Sequence, residues 1–240
     1  MAVARANTNG PGNDLVSSVE LVYQRTRRAI LTGDYPPDSP LRLHELAALS
    51  GVSMIPVREA LRLLKAEGFV DIIPNRGARV APLSVEDLHD VCRTRIVLEV
   101  EALRQAIPRI TPAQLTNARR LNARLVRQFA RHGYANYDDH RAFHFLLYEP
   151  SASRWLLRLI GIIWDHTERY RRQGAPFVTG EAAGEEHERI VGAVEAGAVD
   201  RACQALTDHL EGAREVIAQA LAQSQDAPTA PDGRATPASG

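Results

Sequence analysis

Apolar residues in the first third of the chain recur in short bursts of helical period, broken by turn signals. Val19, Leu21, Val22, Ile30 and Leu31 predict a helix over Leu15–Thr32 that stops at Gly33, and the run Gly33-Asp34-Tyr35-Pro36-Pro37-Asp38 reads as a turn. A second short helix is expected at about Leu43–Leu49, then a tight turn at Ser50-Gly51-Val52. Ser53 opens a third helix that runs to about Glu67; Pro56 falls in its first turn, where the missing N–H costs little. Gly68 follows, where a left-handed residue is wanted. Phe69–Ile73, the turn Pro74–Gly77 and Ala78–Ala81 then read as strand, turn, strand. Helix, helix-turn-helix and hairpin in this order predict a winged helix-turn-helix.

From Ser84 onward the pattern changes, and helix-period residues continue to about Gln223. Ser84 with Glu86 and Asp87 opens a helix to about Ile107, and Thr111-Pro112 starts another that ends near His132. Further helices are expected at about Tyr137–Tyr148, Ser153–Gln173, Gly180–Glu195 and Ala198–Gln223. Their short connections favour an antiparallel bundle. The fold class is therefore mainly α: an N-terminal winged helix-turn-helix over residues 15–82 and an all-helical domain over 83–222. Residues 1–14 and 223–240 offer little to bury and are expected to be a disordered leader and tail.

Composition narrows the function classes. The 240 residues are 45% hydrophobic and 24% charged, an ordinary soluble balance, and no apolar run approaches the ~20 residues of a membrane span. The two cysteines, Cys92 and Cys203, sit in helical contexts and make no disulfide framework, which points to a reducing cytoplasm. Formal net charge is zero, so any DNA binding has to come from a local patch.

Such a patch is available. A recognition helix lays its N-terminal residues in the major groove. Ser53, Met54, Ile55 and Arg58 take the leading, outward positions, while Val57, Leu61 and Leu64 face inward. The fork of Arg58 suits guanine edges and phosphate oxygens. Arg62 and Lys65 lie further along, towards the backbone, and Arg76 and Arg79 on the wing suit the minor groove or phosphate.

The segment LAALSGVSMIPVREALRLLKAEGFVDIIPNRGARV resembles the DNA-binding domain of the GntR family, and the helical remainder resembles its FadR-type (FCD) branch. Gly51-Val52-Ser53, the Pro56–Leu61 run, and Gly68 followed by the Arg76-Gly77 wing carry the likeness. The resemblance implies a DNA-binding transcription regulator. A homodimer on a near-palindromic operator is expected because two-fold symmetry is the commonest assembly and mirrors two half-sites, and repression relieved by ligand is the expected sign. Two positions depart from the family pattern. His44 and Met54 stand where the family usually has DNA-contacting arginines, which weakens phosphate grip and favours a thymine methyl over a guanine edge. Arg42, two residues before His44, offers partial compensation.

In the helical domain the histidine spacing draws attention. His140 and His144 are four apart, one above the other on a helix face. His187 and His209 are equidistant from residue 198, inside the turn Gly197–Asp200, each ~16 Å from the bend, so an antiparallel hairpin sets them level. If the first pair packs opposite that hairpin, four imidazoles converge, a set suited to a divalent transition metal. Scattered or core histidines remain the alternative on spacing alone. The family resemblance favours the metal: such domains use Asp-x3-His on one helix and two later histidines, which His144, His187 and His209 match. His140 replaces the aspartate, tilting preference to borderline ions, zinc first and nickel next, with Asp139 as a substitute ligand. The resemblance further implies a small carboxylate metabolite at the metal's open positions, and Arg95, one turn before Glu99, is the candidate to steady it or to form a structural ion pair. His166 reads as a core or surface histidine.

Two other classes compete. A metal-dependent hydrolase lacks support, because His140-Arg141-Ala142-Phe143-His144 has no glutamate beside its first histidine, and Glu186 and Glu188 should point away from the face of His187. A direct metal sensor, in which the ion is itself the signal, is the closer alternative.

Overall fold

A computed structural model describes residues 11–73, 77–174 and 180–226. Helix α1 (Pro11–Thr32) begins ahead of the expected Leu15 and takes in the last residues of the expected leader; residues 1–10 lie outside the described residues. It packs on α3 (Met54–Ala66), which follows α2 (Leu43–Ser50) through a turn at Gly51, whose φ of 66° is the left-handed geometry a β-carbon disfavours. Ser53 is the N-cap of α3, although its hydroxyl makes no capping bond and is left on the surface. Gly68, at φ 79°, ends that helix and lets Phe69 N–H reach back to the Leu64 carbonyl.

The wing strands are β2 (Val70–Ile73) and β3 (Gly77–Val80), antiparallel with Val70 opposite Val80. A strand the pattern did not predict, β1 (Pro40–Leu41), pairs on the other edge of β3 and completes a three-stranded sheet in the order β1-β3-β2. Two residues are too few to carry a period. The hairpin tip, with Arg76, lies outside the described residues. Val22, Ile30, Leu31, Val57, Leu61, Leu64, Phe69 and Val80 lie at the core of this unit.

The second unit comprises α4 (Val85–Ala106), α5 (Pro112–His132), α6 (Tyr137–Tyr148), α7 (Arg154–Gly174), α8 (Gly180–Glu195) and α9 (Val199–Asp226). Ser84 caps α4 by accepting from Asp87 N–H, and Thr111 and Gln114 form a reciprocal capping box on α5. Helix α9 runs beyond the expected Gln223 to Asp226; residues 227–240 are outside the described residues. Helix α4 packs against α7 and α9, α8 against α5 and α9, and α6 against α5. Gly184 permits the α5–α8 approach: a β-carbon there would lie 2.4 Å from Val126 Cγ2. Among the described residues, no helix is long and apolar enough to cross a membrane.

Candidate metal and effector site and the DNA-facing surface

The hairpin of α8 and α9 sets His187 and His209 side by side, with ring centroids 4.8 Å apart. Helix α6 presents His140 and His144, 4.9 Å apart, to the same point. His144 is the centre of the group, 5.2 Å from the His187 ring and 5.3 Å from that of His209. One ring nitrogen from each of the four lies within 4.8 Å of the others. His144, His187 and His209 are buried, and His140 is nearly so.

Hydrogen bonds decide which nitrogens are available. Asn122 on α5 donates its amide N–H to the Gly184 carbonyl at 2.8 Å, so its oxygen is the atom that faces His187 Nδ1 at 3.0 Å. His187 Nδ1 must then carry the proton and Nε2 the lone pair. Tyr148 donates its hydroxyl to Glu99 at 2.6 Å and so accepts from His144 Nδ1, 3.2 Å away. His209 Nδ1 lies 2.8 Å from a Glu186 carboxylate oxygen, which can only accept. Asn122 and Tyr148 thus leave Nε2 as the lone-pair atom of His187 and His144, and Glu186 holds His209 by its Nδ1; outer partners of this kind orient and tune metal-binding imidazoles. His144 Nε2, His187 Nε2 and His140 Nδ1 are buried and find no partner among the described residues. An ion at this point would answer the lone pairs of His144 and His187, and that of His140 in the tautomer that leaves Nδ1 unprotonated.

The electrostatics agree. Burial holds His140, His144 and His187 well below their ordinary value of 6.5, helped at His140 by Arg171 and at His144 and His187 by the neighbouring histidines. All three are neutral at pH 7, the state a ligand requires. Asp139 is drawn elsewhere, held by Arg124 at 2.9 Å and Gln128 at 2.6 Å. Glu186 does not point away from the cluster as helical spacing suggested; it leaves the face of His187 but reaches across the hairpin to His209. Glu188 turns outward to Arg119.

Arg95 pairs with the fully buried Glu99 at 2.6 Å and lies over the Trp164 ring, its Cζ 4.6 Å from the centroid. It also lines a cleft between α4, α7 and α9 whose wall includes His140, His209, Trp164 and Arg214. Trp164 and Arg214 were not legible as site residues; an apolar-period tryptophan and a surface-pattern arginine carry no distinguishing signal. His166 turns the other way and stacks on Phe69 of the winged unit at 4.6 Å.

On the DNA-facing surface, Ser53, Met54, Ile55 and Arg58 are all exposed at the start of α3, as a reading edge requires. The cations differ in commitment. Arg62 pairs with Glu59 at 2.6 Å, Arg42 with Glu45 at 3.1 Å and Arg79 with Asp38 at 3.1 Å. His44 is exposed beside Glu45. Arg58 forms none of the ion pairs found among the described residues.

The two units are joined by specific contacts. Asp165 accepts from Arg27 of α1 and from Tyr137 of α6, Arg28 pairs with Asp138 at 2.8 Å, and Arg169 donates to the Ala81 carbonyl. Helix α6 therefore carries two of the clustered histidines and, one turn earlier, part of the grip on α1.

Comparison with known proteins agrees with this architecture. Residues 19–80 match the pattern of bacterial regulatory proteins of the gntR family, and residues 90–212 match the FCD domain. The chain is 31% identical over 218 residues to an uncharacterized HTH-type transcriptional regulator, BphR, of Paraburkholderia xenovorans, covering 85% of this chain and 86% of that one. It is 28% identical over 210 residues to the HTH-type transcriptional repressor GlaR of Escherichia coli, covering 83% and 96%. The solved structure of E. coli McbR/YncC superposes with a TM-score of 0.72 at 20% identity, over 84% of this chain and 97% of that one, and so supports the fold. With the winged helix, the helical domain and these relatives in agreement, the chain belongs to the GntR family of DNA-binding transcription regulators, in its FCD-domain branch.

Proposed function

We propose that this regulator is a repressor whose operator affinity is set by a small carboxylate effector, taken up at a divalent metal held by His140, His144, His187 and His209. The single observation that supports this most is the convergence of four imidazoles, one ring nitrogen of each within 4.8 Å of the others, in which His144 and His187 have Nδ1 engaged and a buried Nε2 left unanswered. An all-nitrogen donor set suits zinc first and nickel next. When bound, the ion supplies a Lewis-acidic anchor for a carboxylate oxygen. Arg95, neutralised by Glu99, would steady the effector's outer face rather than supply an uncompensated charge.

On the DNA side, Ser53, Met54 and Arg58 would read bases, with Arg42, His44, Arg62, Arg76 and Arg79 at the backbone or minor groove. Two copies related by a two-fold axis would address a palindromic operator. Effector binding would favour a packing of α6 and α7 that moves α1 through Tyr137, Asp138 and Asp165, a population shift between two arrangements of the winged units. Full burial of His144 and His187 favours a firmly retained ion over the reversible occupancy a direct metal sensor needs.

The test combines metal analysis with operator selection. Purified protein should retain about one ion per chain and enrich one or a few palindromic sites from fragments of its source genome. His187→Ala should lose the ion and the effector response while keeping basal operator binding. Retention of metal by that variant would remove the metal site; loss of DNA binding by a folded variant would remove the separation of roles.

A further inference from the structure

Most buried donors around the histidine cluster are answered. Asn122, Tyr148, Arg95 and Arg171 all have acceptors, and the orphaned imidazole nitrogens are accounted for by the proposed ion. Trp164 is the exception. It is 2% exposed, and its Nε1–H finds no acceptor among the described residues. A metal cannot satisfy it, because an indole N–H only donates. A buried donor left unmatched carries its full desolvation penalty, so the group is expected to meet an acceptor in the working state.

The surroundings point to where that acceptor comes from. The Trp164 ring lies 5.0 Å from both the His140 and the His144 rings, and it shares the cleft with Arg95, His140, His209 and Arg214. Arg95 and Arg171 are matched by the buried carboxylates of Glu99 and Glu168. Among the described residues, the ion pair of Arg214 is with Glu215, its largely exposed chain neighbour, at 3.3 Å. The cleft therefore brings an unmatched indole N–H and a weakly paired guanidinium together with His140 and His209, two of the clustered histidines.

We infer that Trp164 Nε1 is a ligand-binding donor, and that with Arg214 it selects a small acid carrying a second oxygen acceptor in addition to the carboxylate taken at the metal. A simple monocarboxylate that gave both oxygens to the ion would have no acceptor left for the indole. A 2-hydroxy acid, a 2-oxo acid or a short dicarboxylate answers both ion and indole. This rests on the effector reading above and adds to it the donor and the ligand feature it recognises.

The chain has two tryptophans, so Trp155→Phe leaves Trp164 as the single indole. In that protein, zinc-loaded and carrying ¹⁵N-labelled tryptophan, the indole N–H resonance should move downfield on titration with lactate, pyruvate, malonate or succinate. Acetate and propionate should leave it in place. By calorimetry the best of the first group should bind roughly tenfold or more tighter than propionate, and Trp164→Phe should erase that advantage while keeping its zinc. An indole resonance indifferent to every bound acid, or an undiminished preference in Trp164→Phe, would make Trp164 a packing residue matched by water and overturn the inference alone. If zinc-loaded protein binds none of these acids, the carboxylate reading falls and this inference with it; if zinc is not retained, the metal reading falls first. The resonance test uses the native Trp164, so it stands even if the Phe variant folds poorly.

Discussion

Trp164 and Asp165 are consecutive residues of α7 that face different units of the protein. Trp164 packs against the imidazoles of His140 and His144, whereas Asp165 accepts from Arg27 of the winged helix and from Tyr137. One step of helix rotation, about 100°, separates the candidate sensing site from the grip on the DNA-binding unit. An adjustment of α7 at the histidines would reach α1 without an intervening loop.

That adjacency predicts a separation of binding from response. Asp165→Asn should keep metal and effector affinity but reduce the effector-dependent change in operator binding. Leaving Arg27 partly buried with the more distant Glu67 carboxylate, at 3.6 Å, in place of Asp165 should also destabilise the protein by about 1–3 kcal/mol. Urea denaturation and gel-shift titrations with and without effector measure the two effects; an unaltered response would take the coupling route away from Asp165.

Asn122 fixes the tautomer of His187, and its own amide is fixed by Gly184. Asn122→Leu should lower metal affinity about 10–100-fold, read by competition with a chelating dye, while His187 remains in place. Affinity equal to that of the parent would mean that the inward lone pair does not depend on this partner.

The buried histidines also set a pH dependence. His140, His144 and His187 have folded values pushed below 6.5 by burial, so below about 6.5 the unfolded chain takes up protons that the folded one refuses. Stability is complete above that value and falls as the pH drops. For three such groups the slope approaches about 4 kcal/mol per pH unit in metal-free protein. Denaturation of metal-free protein at pH 7.5, 6.5 and 5.5 measures it, and a flat profile would mean that the cluster is hydrated rather than dry. In loaded protein, acid should in addition release the ion.

At the candidate DNA surface, Arg58 is exposed and forms none of the ion pairs among the described residues, whereas Arg62 is paired with Glu59. Arg58→Ala should weaken binding to the selected operator by about 1–3 kcal/mol, and Arg62→Ala by less. A stronger effect at Arg62 would shift the reading edge one turn along α3.

Much of this was legible in the chain. The equal distance of His187 and His209 from the turn at residue 198 brought them level because an antiparallel helix pair preserves distance from its bend, and the four-residue spacing of His140 and His144 put them on one face because of the helical repeat. Gly51, Gly68, Ser84 and the Thr111-Pro112 start marked their boundaries for equally local reasons. Strand β1 escaped because it exists only by pairing with β3. Whether the two histidine pairs face one another, which nitrogens carry protons, that Glu186 crosses the hairpin, and that Trp164 is left with an unmatched donor all depend on residues distant in sequence. Local periodicity fixes the face a side chain takes on its own helix; only packing decides what meets that face, and so which polar atoms are answered.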